Sequence, residues 1–423
     1  MENGPEVNAK QLFVNDREQL IYLLSEAAEI EHGLMCSYLY ACWSLKRSCD
    51  EGLNREQLAA VDGWRDSMQS VAMEEMLHLA LVSNLLMSIG SPPHFVRPNF
   101  PVAPGYHPAS VVARLVPFTR ATADHFVYLE RPEGKDLPVA DGFEPPFAYQ
   151  RRHGRAKLTP TAEEYGTVSE LYRGIEDGFR RLTQGLGEKR MFIGNPSAQV
   201  GPELLPFDGL IPVTNLESAL AAVATIIEQG EGGREDGEDS HYARFIAIRD
   251  EYDALLRQDS AFNPCRPVVA DPVMFPPIDA RPTNHIMADP ASSVLDIANG
   301  AYGLMLRLLS SGFSMAHGTA AVRRAEIDSA ISVMSVVKTL GICLTTLEAG
   351  TEDERTAGMN FHLPRSTLTL PQPHASLAML AERAKEVATA LRAVQISGLE
   401  ALRLAEQLDA VAARLENSQA TSQ

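Results

Sequence analysis

Apolar residues recur along this chain at three- and four-residue spacings, the period of packed helices, and the elements can be laid out from that pattern. A first helix starts at Asp16, which stands at capping-box spacing from Gln19, and covers about 19–46. A second covers about 55–89 and stops at Gly90-Ser-Pro-Pro. Residues 91–160 are rich in proline and glycine and predict an irregular insertion with short helices or strands. A third helix begins near Thr161, and residues 185–213 read as loop, with MFIGNP a candidate short strand. A fourth, NLESALAAVATIIEQ, runs into the break GEGGREDGEDS, and a fifth, HYARFIAIRDEYDALL, follows it. Helices resume at about 292–312, 320–348 and 375–416, with a 350–374 loop. The expected fold is all-α: a four-helix bundle in 1–256, a proline-rich connector at 257–291, and a smaller helical module at 292–423. Packing or dimerisation is the expected role of that last module, whose apolar faces carry no dense polar constellation.

Polar residues intrude on the inward stripes. In the second helix Val61, Trp64, Met68, Val71, Val82, Leu85 and Ile89 define a seam whose missing steps are Glu75 and His78; Glu74 lies one step off it. In the first, Leu20, Leu24, Ala27, Met35 and Tyr38 place Glu31 inward, with His32 on the flank as a core histidine rather than a supporting partner. In the third, Tyr165, Val168, Tyr172, Ile175, Phe179 and Leu182 bring Glu176 onto the stripe. In the fourth, Leu220, Ala224 and Ile227 project to Glu231, with Glu228 on the flank, and the choice between them stays open. His241 heads a clean stripe of Phe245, Ile248, Tyr252 and Leu255. A neighbouring countercharge explains any one of these residues. Several buried carboxylates on separate helices need a cation, and carboxylate with imidazole is a ligand set for iron or manganese. Two metal ions, each near one histidine, are expected.

Composition narrows the class further. Lys and Arg total 37 against 55 Asp and Glu, a net charge of −18, which argues against non-specific binding to nucleic acid or an anionic membrane. The five cysteines form no paired framework, which fits a reducing compartment. The N-terminal stretch has no signal-like apolar core, and no segment is expected to span a bilayer, so a cytoplasmic location is expected.

The inward Glu, Glu-x-x-His and Glu series resembles the ferritin-like carboxylate superfamily, in which a four-helix bundle supplies Glu, Glu-x-x-His, Glu and Glu-x-x-His to two iron ions. That resemblance implies Glu31 as the first-helix ligand, Glu75 and His78 as the second-helix motif and Glu176 as the third-helix ligand. His241 with Glu231 or Glu228 would replace the last motif, which is not contiguous here. Together, EIEHGLMCSYLYACWS, EEMLHLALVSNLLMSIG, LYRGIEDG, EQGEG and SHYARF are similar to the iminophenyl-pyruvate dimer synthase type of ferritin-like domain, found in violacein- and rebeccamycin-type pigment enzymes, over about residues 15–255. The resemblance implies a non-haem di-iron oxidoreductase, or one using iron and manganese, that couples small amino-acid-derived imines or acts on a related aromatic substrate in secondary metabolism. Dioxygen or peroxide is the implied oxidant, and a homo-oligomer is compatible with the fold. A ferritin-type metal store and a metal-free helical scaffold are the alternatives.

Overall fold

A computed structural model describes residues 12–108, 110–145, 158–230, 239–276, 283–313, 319–370, 372–396 and 398–420. Among them the chain is helical, with isolated bridges and no extended strand. Two long helices form the spine. In α1 (Arg17–Ser44), the Asp16 carboxylate accepts the Gln19 amide at 2.9 Å. The reciprocal half of the expected capping box is absent, because the Gln19 side chain pairs instead with the backbone of Thr161. Helix α2 (Arg55–Ser88) has the full box, with Asn54 and Gln57 each accepting the other's amide. The short link 45–54 returns α2 alongside α1.

The other bundle positions are filled by shorter pieces in two tiers. Helix α3 (Arg120–Leu129) packs on α7 (His241–Gln258), and α4 (Val168–Leu186) packs on α6 (Leu216–Gly230). Helix α3 lies inside the stretch expected to be an irregular insertion; Thr119 caps it by accepting the Thr122 amide. The third predicted helix starts later than Thr161, at Val168, capped by Thr167. The candidate strand at MFIGNP does not form: Glu188–Met191 is a helical turn, α5, and the chain continues as loop. Four helix ends thus meet half-way along the spine: the last residues of α3 and α6 and the first of α4 and α7.

The C-terminal helices α8 (Ala291–Gly312), α9 (Ala320–Leu344), α10 (Pro373–Ala393) and α11 (Ala401–Ala420) pack on one another, α8 on α9 and α10 on α11. The single helix expected over 375–416 is two, separated by a turn in which Gly398 has φ +82°. By length and composition α9 could cross a membrane, which was expected of no segment; half of that stretch is buried within the fold. One continuous apolar core runs from α1 to α11. At the join, Trp43 of α1 stacks on Phe361, with ring centroids 5.5 Å apart, and lies flush against Gly341 of α9. There too the His32 ring meets the Tyr302 hydroxyl. Burial and the Arg97 charge hold His32 well below its usual pKa, so it is a neutral core histidine.

Candidate metal centre

Glu31 lies in the middle of α1, and Glu75 and His78 lie one turn apart on α2; all three are 2% exposed. The Nδ1 of His78 is 3.3 Å from Glu31 Oε2 and 3.2 Å from Glu75 Oε2. The other Glu75 oxygen, Oε1, is 3.1 Å from Nδ1 of His241, the first residue of α7. Glu130, which ends α3, completes the second half with Oε2 3.7 Å from the same nitrogen. Two groups of three donor residues result, Glu31, Glu75 and His78, and Glu75, Glu130 and His241. Within each, the donor atoms lie within 4.8 Å of one another. Glu75 is common to both. The His241 Nδ1 atom is fully buried and makes no well-directed hydrogen bond, despite the carboxylate oxygens around it.

Each inward group is fixed from behind. Tyr172 of α4 donates its hydroxyl to Glu31 Oε1, and Tyr38 of α1 donates to Glu130 Oε1. The His78 Nε2 is 2.9 Å from Gln229 Oε1, and the His241 Nε2 is 3.0 Å from Glu74 Oε2. Each imidazole thus gives its Nε2 proton to an oxygen behind it and turns Nδ1 to the cluster, an orientation that becomes the usual support of a metal-bound histidine once Nδ1 loses its own proton. Glu74, expected to stand apart, is clamped by Arg244 at 2.8 and 2.9 Å and orients His241.

The electrostatics are those of crowded buried acids. Burial and the neighbouring Glu75 raise the Glu31 carboxyl to about 8. Burial acts the same way on Glu75, but hydrogen bonding to Glu31 and the two histidines hold it well below the carboxylate range. Burial opposes protonation of His78, yet Glu31 and Glu75 raise it to about 10; Glu75, Glu130 and Glu74 likewise raise His241 well above its usual value. In the chain alone the two imidazoles carry the compensating positive charge. A pair of cations could take that role and leave the imidazoles neutral, so the donor set fits a two-metal carboxylate centre.

Two sequence-expected residues lie elsewhere. Glu176 is turned outward and pairs with Arg180 at 2.6 Å, because Ile175 already fills the inward slot between Tyr172 and Phe179. Glu228 is exposed on the far side of α6, whose buried stripe is Ala219, Ala222, Val223 and Ile226. Glu231 lies outside the described residues. Glu130 occupies the place expected of Glu176. Its signal was present as a Thr119 cap followed by Ala123, Phe126 and Glu130 at helical spacing.

A family model described as ferritin-like matches residues 24–250, more than half of the chain and every member of the cluster. The chain belongs to the ferritin-like family. This ferritin-like chain is 26% identical over 421 residues to dichlorochromopyrrolate synthase of Lentzea aerocolonigenes, an alignment covering 90% of this chain and 39% of that protein. It is 26% identical over 396 residues to the 2-imino-3-(indol-3-yl)propanoate dimerase of Chromobacterium violaceum, covering 88% of this chain and 37% of that one. The chain thus spans well under half the length of these curated relatives. A ferritin-like protein of solved structure from Caulobacter vibrioides aligns with a TM-score of 0.44 at 19% identity, covering 75% of this chain and 95% of that one.

Proposed function

We propose that this ferritin-like chain is a two-metal oxidoreductase, using iron or iron with manganese, that acts on a small aromatic imine derived from an amino acid in secondary metabolism. The observation that carries the reading is Glu75, whose two oxygens each meet a different histidine inside one buried carboxylate cluster. The two relatives, named for a chromopyrrolate synthase and an imine dimerase, supply the substrate class. Joining two such imines through a new carbon–carbon bond breaks two C–H bonds and releases two electrons and two protons. Peroxide could accept both, giving two waters; dioxygen could take them up to give peroxide.

Glu31, His78 and Glu75 would hold one ion, and Glu75, His241 and Glu130 the other. Bound metal would supply the redox change that carries electrons from substrate to oxidant. The chain's own side chains do the positioning. Burial and the adjacent carboxylates raise the Tyr172 and Tyr38 hydroxyls well above the usual phenol range, so both keep their protons and serve as fixed donors to Glu31 and Glu130. Gln229 and Glu74 set which imidazole nitrogen faces inward. The cluster's cavity is small, about 30 Å3, and shares its walls with Leu34, Leu129, Ile226 and Ile227, which keep bulk water away.

Elemental analysis of protein purified without added metal tests the first half of the reading. We expect about two equivalents of iron or manganese per chain and a lower melting temperature after chelation. Less than about a tenth of an equivalent, with melting unmoved by chelator, would remove the metal centre. The reaction is tested by supplying indole-3-pyruvate, ammonia and peroxide and following loss of the imine and appearance of a coupled product by mass spectrometry. Metal-loaded protein that consumes no imine would overturn the proposed substrate class.

A further inference from the structure

One wall of the cluster's cavity is formed by groups that hold no metal. Arg131 follows Glu130 in the chain and lines the cavity while only 8% exposed. Its guanidinium donates to the carbonyls of Tyr128 and Gly166 and lies 3.7 Å over the Tyr128 ring. Both hydrogen-bond partners are neutral; the carboxylates of Glu170 and Asp136 act on Arg131 through space, and among the described residues none forms an ion pair with it. A buried cation held by neutral partners favours an anion coming to it.

The start of α4 stands on the same wall. Thr167 takes the Glu170 amide, and Glu170 returns to the Gly166 amide, which leaves the first two helical amides, of Val168 and Ser169, with no partner in their own helix. Both residues line the cavity. The Ser169 hydroxyl is an independent sign: the residue is 8% exposed and its Oγ is fully buried with no hydrogen-bond partner. The chain therefore gathers a guanidinium, an unused hydroxyl and a positive helix end beside the cluster, all groups that favour a negative oxygen.

We propose that Arg131, Ser169 and the N-terminal end of α4 form a seat for the carboxylate of the substrate, one turn from the Glu31 partner Tyr172. The inference takes its substrate class from the function proposed above. A cavity of about 30 Å3 admits a carboxylate but no aromatic ring, since apolar cavities that take benzene are on the order of 150 Å3. The acid end enters and the ring remains outside. The seat selects for the 2-imino acid head and is tolerant of the side chain, and it fixes the carbon next to the carboxylate beside the cluster.

Calorimetric titration of the full chain with indole-3-propionate and with its neutral amide, indole-3-propionamide, tests the seat. We expect the acid to bind at least about tenfold more tightly than the amide, Arg131→Gln to remove that preference, and Ser169→Ala to reduce it several-fold. Arg131 also ties Tyr128 to Gly166, so circular dichroism must show each variant folded; Ser169→Ala decides the matter if Arg131→Gln is not. Equal binding of acid and amide, no binding of either, or a native preference in a folded Ser169→Ala or Arg131→Gln variant would overturn the seat. Metal analysis of the same samples separates the two readings. Metal-free protein that still prefers the acid keeps the seat and loses the oxidoreductase, and metal-loaded protein without preference does the reverse.

Discussion

Glu75 is the one residue shared by both donor groups, which gives the single-residue variants distinct signatures. Glu75→Ala should lose both metals, whereas His78→Ala and His241→Ala should each keep roughly half the native content, measured by elemental analysis with helicity unchanged. Glu130→Ala should lose metal and Glu176→Ala should keep it; the opposite result would restore the sequence-based choice. Glu31, Glu75 and His78 were legible because each interrupts an apolar stripe, where a charge stands out, and His241 because it heads one. Glu176 and Ile175 compete for one slot in a 3.6-residue period, and only packing decides between them. Another buried acid lies far from the cluster. Glu326 on α9 accepts a hydrogen bond from Ser311, its other oxygen has none, and burial raises it to about 7. The folded chain then holds a proton that the unfolded chain releases above about 4.5. Its contribution to stability falls as pH rises from about 4.5 to 7, by up to about 3 kcal/mol. Glu326→Gln should flatten that part of the urea-denaturation pH profile and stabilise the chain near pH 8; an unchanged profile would show that the group titrates normally.

At the scale of elements, the centre is built where helices end as much as where they run. Long helices α1 and α2 present Glu31, Glu75 and His78 from mid-span, while Glu130, Gln229 and His241 come from the ends of α3, α6 and α7. The long pieces were readable because propensity, caps and period agree along many turns. Helix α3 was not, since ten residues set among prolines give too few turns to establish a period. Helix α6 was found but rotated: in LESALAAVATIIEQ small apolar residues cover most of the circumference, so the stripe can be assigned a residue out of phase. That shift, about 100° of rotation, turns Glu228 outward and Gln229 inward. Caps carry measurable energy in such a frame. Asn54→Ala removes the Oδ1 that accepts the Gln57 amide, leaves the backbone half of the α2 capping box in place, and should cost about 1 kcal/mol in reversible unfolding, with metal content unaltered.

Over the whole molecule, the two groups of helices are locked rather than tethered. Arg323 of α9 reaches four carbonyls, those of Gly312, Ser197, Ala198 and Gln199, the last three in the loop between α5 and α6. Trp43 fills the space left by the absent side chain of Gly341, where an added Cβ would collide with its ring. Gly341→Ala should destabilise the chain by about 1–3 kcal/mol or more, despite alanine's higher helix propensity, and should broaden unfolding if the C-terminal helices loosen first. A thermal melt unchanged from native would show that Trp43 can move aside. Sequence periodicity gave no sign of this join, because it depends on which distant surfaces meet.

The residues around the centre come from Glu31 to His241, so almost half the chain is looped between them. Each bound ion would act as a reversible cross-link, clamping distant stretches that the unfolded chain holds apart. A hundredfold excess of free metal over its dissociation constant adds about 2.7 kcal/mol to the folded state for one site. Newly made chains would therefore mature in proportion to the metal around them, and scarcity of metal would show first as proteolytic turnover, before any loss of turnover per loaded molecule.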